Sequence, residues 1–168
     1  IPFIAAASYY YNQNIAEEVV EEIQVIEQST TTSTSTTVQN LLKLQYPFSC
    51  SSSSSLGEGW TCEKIYDGEP TSWQDNGLEC KDATLEFTFS KDIYFQFLTY
   101  ENIEDSKSYS RNFKPRDILI TSDEEGFSIE YELENQNSSS QWIDLNTTSS
   151  VITIQILSAY PGEAVSYT

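Results

Sequence analysis

The chain contains no histidine and no methionine, and only 8 basic residues stand against 26 acidic ones. Without histidine the common general base is missing, and with it the Ser/His/Asp and Cys/His nucleophilic arrangements and the commonest zinc ligand. A hydrolase built on two carboxylates is the one acid–base design left, but many acidic residues on one chain guarantee accidental pairs, and nothing marks a catalytic couple. With no methionine, Ile1 is not expected to be the translated start, so the chain reads as processed or as a fragment. A formal net charge of −18 repels phosphate backbones and anionic membrane surfaces, which argues against nucleic acid as a partner. Ala-rich helical stretches are nearly absent.

What is present suits strands. Tyrosine (11) and phenylalanine (8) are abundant and Ile, Val and Thr recur, a mix that fits pleated, half-buried surfaces. At 168 residues there is room for one core and a tail. Residues 1–14 open with an apolar run that turns abruptly aromatic at Tyr9, Tyr10 and Tyr11. The run is too short to span a bilayer and reads as the end of a membrane or signal segment, with a packing strand as the plain alternative. Over 15–28, Ile15, Val19, Ile23 and Ile26 recur at helical spacing among Glu17, Glu18, Glu21 and Glu22, which predicts a short acidic amphipathic helix. Ser29 to Thr37 has nothing apolar to bury and reads as a flexible linker, which places the start of the main domain at Val38.

From Trp60 onward, short segments of period two alternate with turn signals: Thr84 to Phe89, Ile93 to Tyr100, Ile118 to Thr121, Phe127 to Leu133, Trp142 to Leu145 and Val151 to Leu157. This pattern predicts an all-β, antiparallel sandwich over 38–168, with Leu85, Phe87, Phe89, Ile118, Ile120, Ile152, Ile154 and Ile156 pointing inward. The three cysteines are an odd set. In an oxidising compartment two should pair. Cys62 with Cys80 would clamp the Asp67–Trp73 loop to the first long strand, and Cys50 with Cys62 is the alternative.

Residues 65–73, IYDGEPTSW, followed in order by TLEFTF, IYFQFLTYEN, the basic segment Tyr109 to Arg116, DILITSDEEG and VITIQILSAYPGE, resemble a discoidin-like (coagulation-factor type C) domain. The chain looks nearest to the bacterial NADase-type glycan-binding subgroup, and the resemblance spans about residues 60–168. It implies a galactose-binding-like jelly roll that acts without catalysis, outside the cell, on a glycan or a cell-surface protein, with a membrane tether at the N-terminus. Two departures stand out. The Asp67–Trp73 loop is one residue shorter than usual, and the family's closing strand has no counterpart before Thr168. A cation held between that loop and that strand is therefore in question. By its own chemistry the loop offers Asp67, Glu69 and Thr71 as Ca²⁺ ligands, while Asp67-Gly68 and Glu69-Pro70 equally form plain tight corners. Trp73 is expected to fill the core beside the loop. Lys107, Arg111, Lys114 and Arg116 are interleaved with Tyr109 and Phe113, so forked donors and ring faces share one segment, and Arg111, Tyr109, Asn102, Glu101 and Asn112 are the expected ligand contacts. The two loops are expected to converge at one end of the sandwich.

Overall fold

The computed structural model describes residues 3–13, 41–67, 69, 72–77, 79–101, 110–136 and 140–162. Among them the strands are β1 (Phe3–Gln13), β2 (Leu41–Gln45), β3 (Ser49–Ser52), β4 (Trp73–Gln74), β5 (Thr84–Glu101), β6 (Lys114–Pro115), β7 (Asp117–Ser122), β8 (Ser128–Glu132), β9 (Gln141–Ile156) and β10 (Ala159–Tyr160). Two single 3-10 turns, Glu58–Trp60 and Cys62–Ile65, precede β4. All pairings are antiparallel. The main sheet runs β2-β1-β5-β9-β7-β8, with β3 added to β5 and β4 to β1, and β10 pairs separately with β6. The all-β class predicted from the period-two segments is present, and its architecture is sandwich-like. The helix expected over 15–28, the linker at Ser29 to Thr37 and the boundary at Val38 lie outside the described residues. Residues 3–13, within the stretch read above as the end of a membrane or signal segment, form β1 between β2 and β5. No helix among the described residues is long and apolar enough to cross a membrane.

The sheet is organised by β5 and β9, which pair from Thr84↔Gln155 to Tyr100↔Gln141. A straight strand the length of β5 (18 residues) would span about 60 Å at ~3.3 Å per residue. A domain of this size has a radius of gyration of only about 15 Å, so the ribbon has to bend. It does so at Ser90–Asp92 and Ser149–Ser150, where the register slips between Thr88 and Ile93. The rings of Phe89 and Phe95 lie 4.8 Å apart, although six residues of flat strand would separate them by about 20 Å. The bend folds one half of the ribbon, flanked by β3 and by β7–β8, over the other half, flanked by β1 and β2.

One core lies between the halves. Leu85, Phe87, Phe89, Ile118, Ile120, Ile152, Ile154 and Ile156 are all buried in it, as their alternation predicts, together with Trp73, Phe95, Leu98, Leu133 and Ile143. The Ser90-Lys91-Asp92 segment and the polar stretch after Leu145, read above as gaps between strands, are the bends of continuous strands. The inward phase changes across the second bend: Ile143, Leu145, Thr147 and Ser149 face in before it, and Ile152, Ile154 and Ile156 after it. Two buried hydroxyls result, and acidic residues of the β7–β8 turn satisfy them. Thr147 Oγ1 donates to Glu124 and Ser149 Oγ to Asp123, which also accepts from the Ser150 hydroxyl at 2.6 Å and the Ser150 N–H at 3.2 Å. These hydrogen bonds hold the Asp123 carboxyl below the usual carboxylate range.

The disulfide joins Cys50 to Cys62 across a Cα separation of 5.8 Å, not Cys62 to Cys80 as preferred above. The register explains the correction. β3 pairs Cys50 with Phe87 and the Cys62–Ile65 turn packs on β3, which brings Cys62 against Cys50, and a Cys62 bonded there has no sulfur left for Cys80. In the chain-entropy picture, closing so short a loop is worth about 3 kcal/mol. A disulfide is compatible with an oxidising, extracytoplasmic compartment. Cys80 is a free, buried thiol whose pKa burial, and then the Asp75 carboxylate, push up to about 12.

Two outcomes follow. Ellman's reagent should find no fast-reacting thiol in the native protein, one after unfolding without reductant and three after reduction; a rapidly labelled native thiol would contradict the burial. Asp123→Ala should lower stability at neutral pH by about 1–2 kcal/mol, the loss of its charge-assisted hydrogen bonds discounted for solvent exposure. The folded carboxyl titrates below its unfolded value of about 3.9, so its contribution is complete above that value and disappears as pH falls through the folded pKa. Urea unfolding should show the gap between parent and variant narrowing as pH falls below the unfolded value.

Candidate functional site

β1 brings a flanking residue of each predicted recognition loop to one end of the sheet. Its successive residues Ile4 and Ala5 pair with Trp73, which follows the Asp67–Ser72 loop, and with Glu101, which begins the Glu101–Arg116 loop. β6, at the far end of the second loop, also lies beside β1. Of the expected residues, Thr71, Asn102 and Tyr109 lie outside the described ones.

In the first loop, Asp67 follows directly on the Cys62–Ile65 turn and is engaged locally. Its Oδ1 accepts the Glu69 N–H at 2.9 Å, and its Oδ2 pairs with Lys64 Nζ at 3.1 Å. The first of these bonds closes a turn within the loop, to which Glu69 contributes its backbone N–H. Among the described residues no group of three or more His, Cys, Asp or Glu side chains is placed to hold a metal ion. Trp73 fills the core as expected: it is fully buried, and its Nε1–H donates to Ser54 O at 2.9 Å.

In the second loop, Glu101 accepts a hydrogen bond from Ser140. Arg111 is exposed and Asn112 half-buried, and Arg111 enters none of the ion pairs found among the described residues. The loop is seated by Gly162, whose Cα lies so close to the Arg111 carbonyl that any Cβ there would collide with it, and would sit 2.8 Å from the backbone carbonyl carbon of Asn112. The next two basic residues serve the framework. Lys114 is only 5% exposed, with Nζ 3.5 Å from Pro161 O. Arg116 pairs with Glu132 at 3.1 Å and Asp117 at 3.7 Å, and its guanidinium lies over the Tyr160 ring at 5.8 Å.

A second surface was missed from the sequence. On the outer face of the β5–β9 ribbon Trp142 is 47% exposed and meets the Phe97 ring edge-on at 5.7 Å and 80°. Asp144, the register partner of Phe97, stands beside it, and further along β9 the exposed Asn146 accepts a hydrogen bond from Tyr94 Oη at 3.0 Å. Asn146 has φ 53°, the left-handed conformation that asparagine tolerates better than most residues. The signal was present, because placing Ile143 and Leu145 inward forces Trp142 outward on the same strand. A large aromatic ring in solvent, braced by a second ring and sharing its strand face with the exposed Asp144 and Asn146, puts an apolar surface and polar groups on one face of the sheet.

No protein-family model matches the chain, and no curated protein matches it.

Gly162→Ala should cost about 1–3 kcal/mol by overpacking against a backbone that cannot yield. The same change should loosen the Arg111–Asn112 segment, measurable as faster amide exchange there; unchanged stability and exchange would show that Gly162 does not seat this loop.

Proposed function

We propose that this protein is a non-catalytic, extracytoplasmic glycan-binding module of the discoidin-like, jelly-roll type. The outward pair Trp142–Phe97 carries this reading. Sugar rings present C–H faces that stack on an aromatic ring and hydroxyl edges that need hydrogen bonds, and Asp144 beside Phe97, with Asn146 and Tyr94 further along the same ribbon, supplies donors and acceptors on this side of the sheet. The exposed Arg111 at the loop end, with Tyr109, Asn102, Glu101 and Asn112, belongs to the same reading as a second contact region. The absence of histidine from the sequence supports a binding role over a catalytic one. The disulfide supports an extracellular location, either secreted or tethered to a membrane near the N-terminus. Asp67, whose carboxylate is already shared between Lys64 and the Glu69 N–H, supports a corner that stands without Ca²⁺.

A protein partner is the second reading, favoured by Phe48 and Tyr46, which stand 79% and 57% exposed at the β2–β3 corner. Such aromatic anchors are frequent hot spots in protein interfaces.

A glycan array followed by titration of the best hit tests the first reading. Trp142→Ala should weaken that glycan about tenfold or more, as loss of an aromatic anchor does, with little loss of stability because the ring is half in solvent. Binding that survives in Trp142→Ala, or an empty array alongside capture of a protein that Phe48→Ala abolishes, would move the function to the protein-binding reading.

A further inference from the structure

A cleft separate from both surfaces described above lies where three chain segments meet: Ser53–Ser54 after β3, Asp75–Gly77 after β4, and Lys81–Ala83 before β5. Its volume is about 350 Å³, far more than the roughly 30 Å³ share of a single water and at the small end of ligand sites, which begin near 300 Å³. The walls are tied to the core. Ser53 N–H donates to Thr84 O at 3.0 Å and Thr84 N–H to Ser53 Oγ at 3.0 Å. Ser54 O takes the Trp73 indole N–H, and Asp82 N–H donates to Ile156 O at 2.8 Å. Lys81 and Asp82 form a tight turn closed by Ala83 N–H to Cys80 O at 3.0 Å, with Asp82 in the left-handed region at φ 65°. A cleft held this way keeps its shape before a ligand arrives, so less freedom is lost on binding.

The lining defines the ligand. Asp75 is 4% exposed, and each of its oxygens holds one hydrogen bond, Oδ1 from Ser54 Oγ and Oδ2 from Gly77 N–H at 2.8 Å. A carboxylate can accept about four, so accepting capacity remains on a residue that lines the cleft. Gly77 permits this packing, since a Cβ there would come within 2.5 Å of Oδ2. Asn76, the two serines, the Lys81 ammonium and the Asp82 carboxylate complete a wall of mixed donors and acceptors in which, among the described residues, Ala83 is the one apolar side chain. An apolar ligand would strip water from these groups and return nothing. A phosphate or a carboxylated sugar would meet two carboxylates against one ammonium on a chain of net charge −18.

The geometry points to a binding site for one neutral, polyhydroxylated unit, a single sugar residue, whose hydroxyls donate to Asp75 and Asp82 and accept from Lys81 and Asn76. This assignment rests on the cleft's own chemistry and goes beyond the outer-face reading. The test is an amide-resolved NMR titration of the full chain with the methyl glycosides of glucose, galactose, mannose and N-acetylglucosamine, and with glycerol as a free polyol. One glycoside should shift the amides of Asn76, Gly77, Lys81 and Asp82. Asn76→Ala and Asp82→Asn should each weaken it about tenfold, the cost of a lost hydrogen bond to a charged or amide partner. Both positions are exposed, and asparagine tolerates the left-handed backbone at position 82, so these variants stay folded even where Asp75→Asn does not. Glycerol binding as well as any glycoside would keep the site and detach it from glycans. Shifts confined to Trp142 and Phe97 would overturn the cleft and leave the outer face standing. No shift with any of these compounds would also overturn the cleft, while an array signal lost in Trp142→Ala would still stand on its own.

Discussion

The bend in the β5–β9 ribbon is the constraint on which the rest of the structure depends. Two long strands paired along nearly their whole length bury the most surface when the ribbon closes on itself, and the contact between Phe89 and Phe95 marks where it does so. Bending breaks the strict alternation of inward and outward positions, so hydroxyl residues enter the interior at Thr147 and Ser149. A buried hydroxyl without a partner is costly. The β7–β8 turn supplies Asp123 and Glu124 at that place, which locks the turn, the bend and the core into one unit. Removing these acids would therefore be felt in the relation of the two sheet halves and not only locally.

The same bend accounts for how the edges are used. Each half of the ribbon has its own flanking strands, β3 on one and β1 on the other, and both connect to β4: β1 by pairing, and β3 through the Ser54 carbonyl that holds the Trp73 indole. Trp73 is thus a central post. It is fully buried, it ends the Asp67–Ser72 loop, and it leads directly into Asp75. One side chain fixes the loop end of the sheet and the floor of the polar cleft, so replacing it with alanine would remove far more than its own burial.

The core was legible because alternation in a strand is a direct record of which side meets water; every inward position from Leu85 to Ile156 assigned from it is buried. The difference between a turn and a bend was not legible. Ser90-Lys91-Asp92 carries the residues of either, and only the pairing of Ile93 with Ser149 shows that the strand goes on. The cysteine pairing failed for a related reason, since it depends on the register of Cys50 against Phe87, a contact between residues distant in sequence. At the site, reading by residue type favoured Asp67 and the basic loop. Chemistry of that kind does not say whether a group is free to act: Asp67 is used by Lys64 and Glu69, Lys114 is buried and Arg116 is paired, which leaves Arg111 as the exposed base outside the ion pairs found among the described residues.

Charge explains why the polar sites differ in kind. With so few bases, most carboxylates of this chain must find water or hydroxyl and amide donors instead of cations, and the hydroxyl-rich stretches supply them: Ser54 for Asp75, Ser140 for Glu101, Ser149 and Ser150 for Asp123, Ser158 for Asp117. A carboxylate bound by one hydroxyl keeps accepting capacity that a tight ion pair would consume. Where such a group lies at a bend, as Asp123 does, neighbouring backbone and hydroxyl donors use that capacity for stability. Where it lies in a cleft, as Asp75 does, the capacity sits on a residue that lines a space large enough for a ligand. The serine-rich, acid-rich composition, which alone suggests only solubility, is in this way also what lines the cleft with hydrogen-bonding groups.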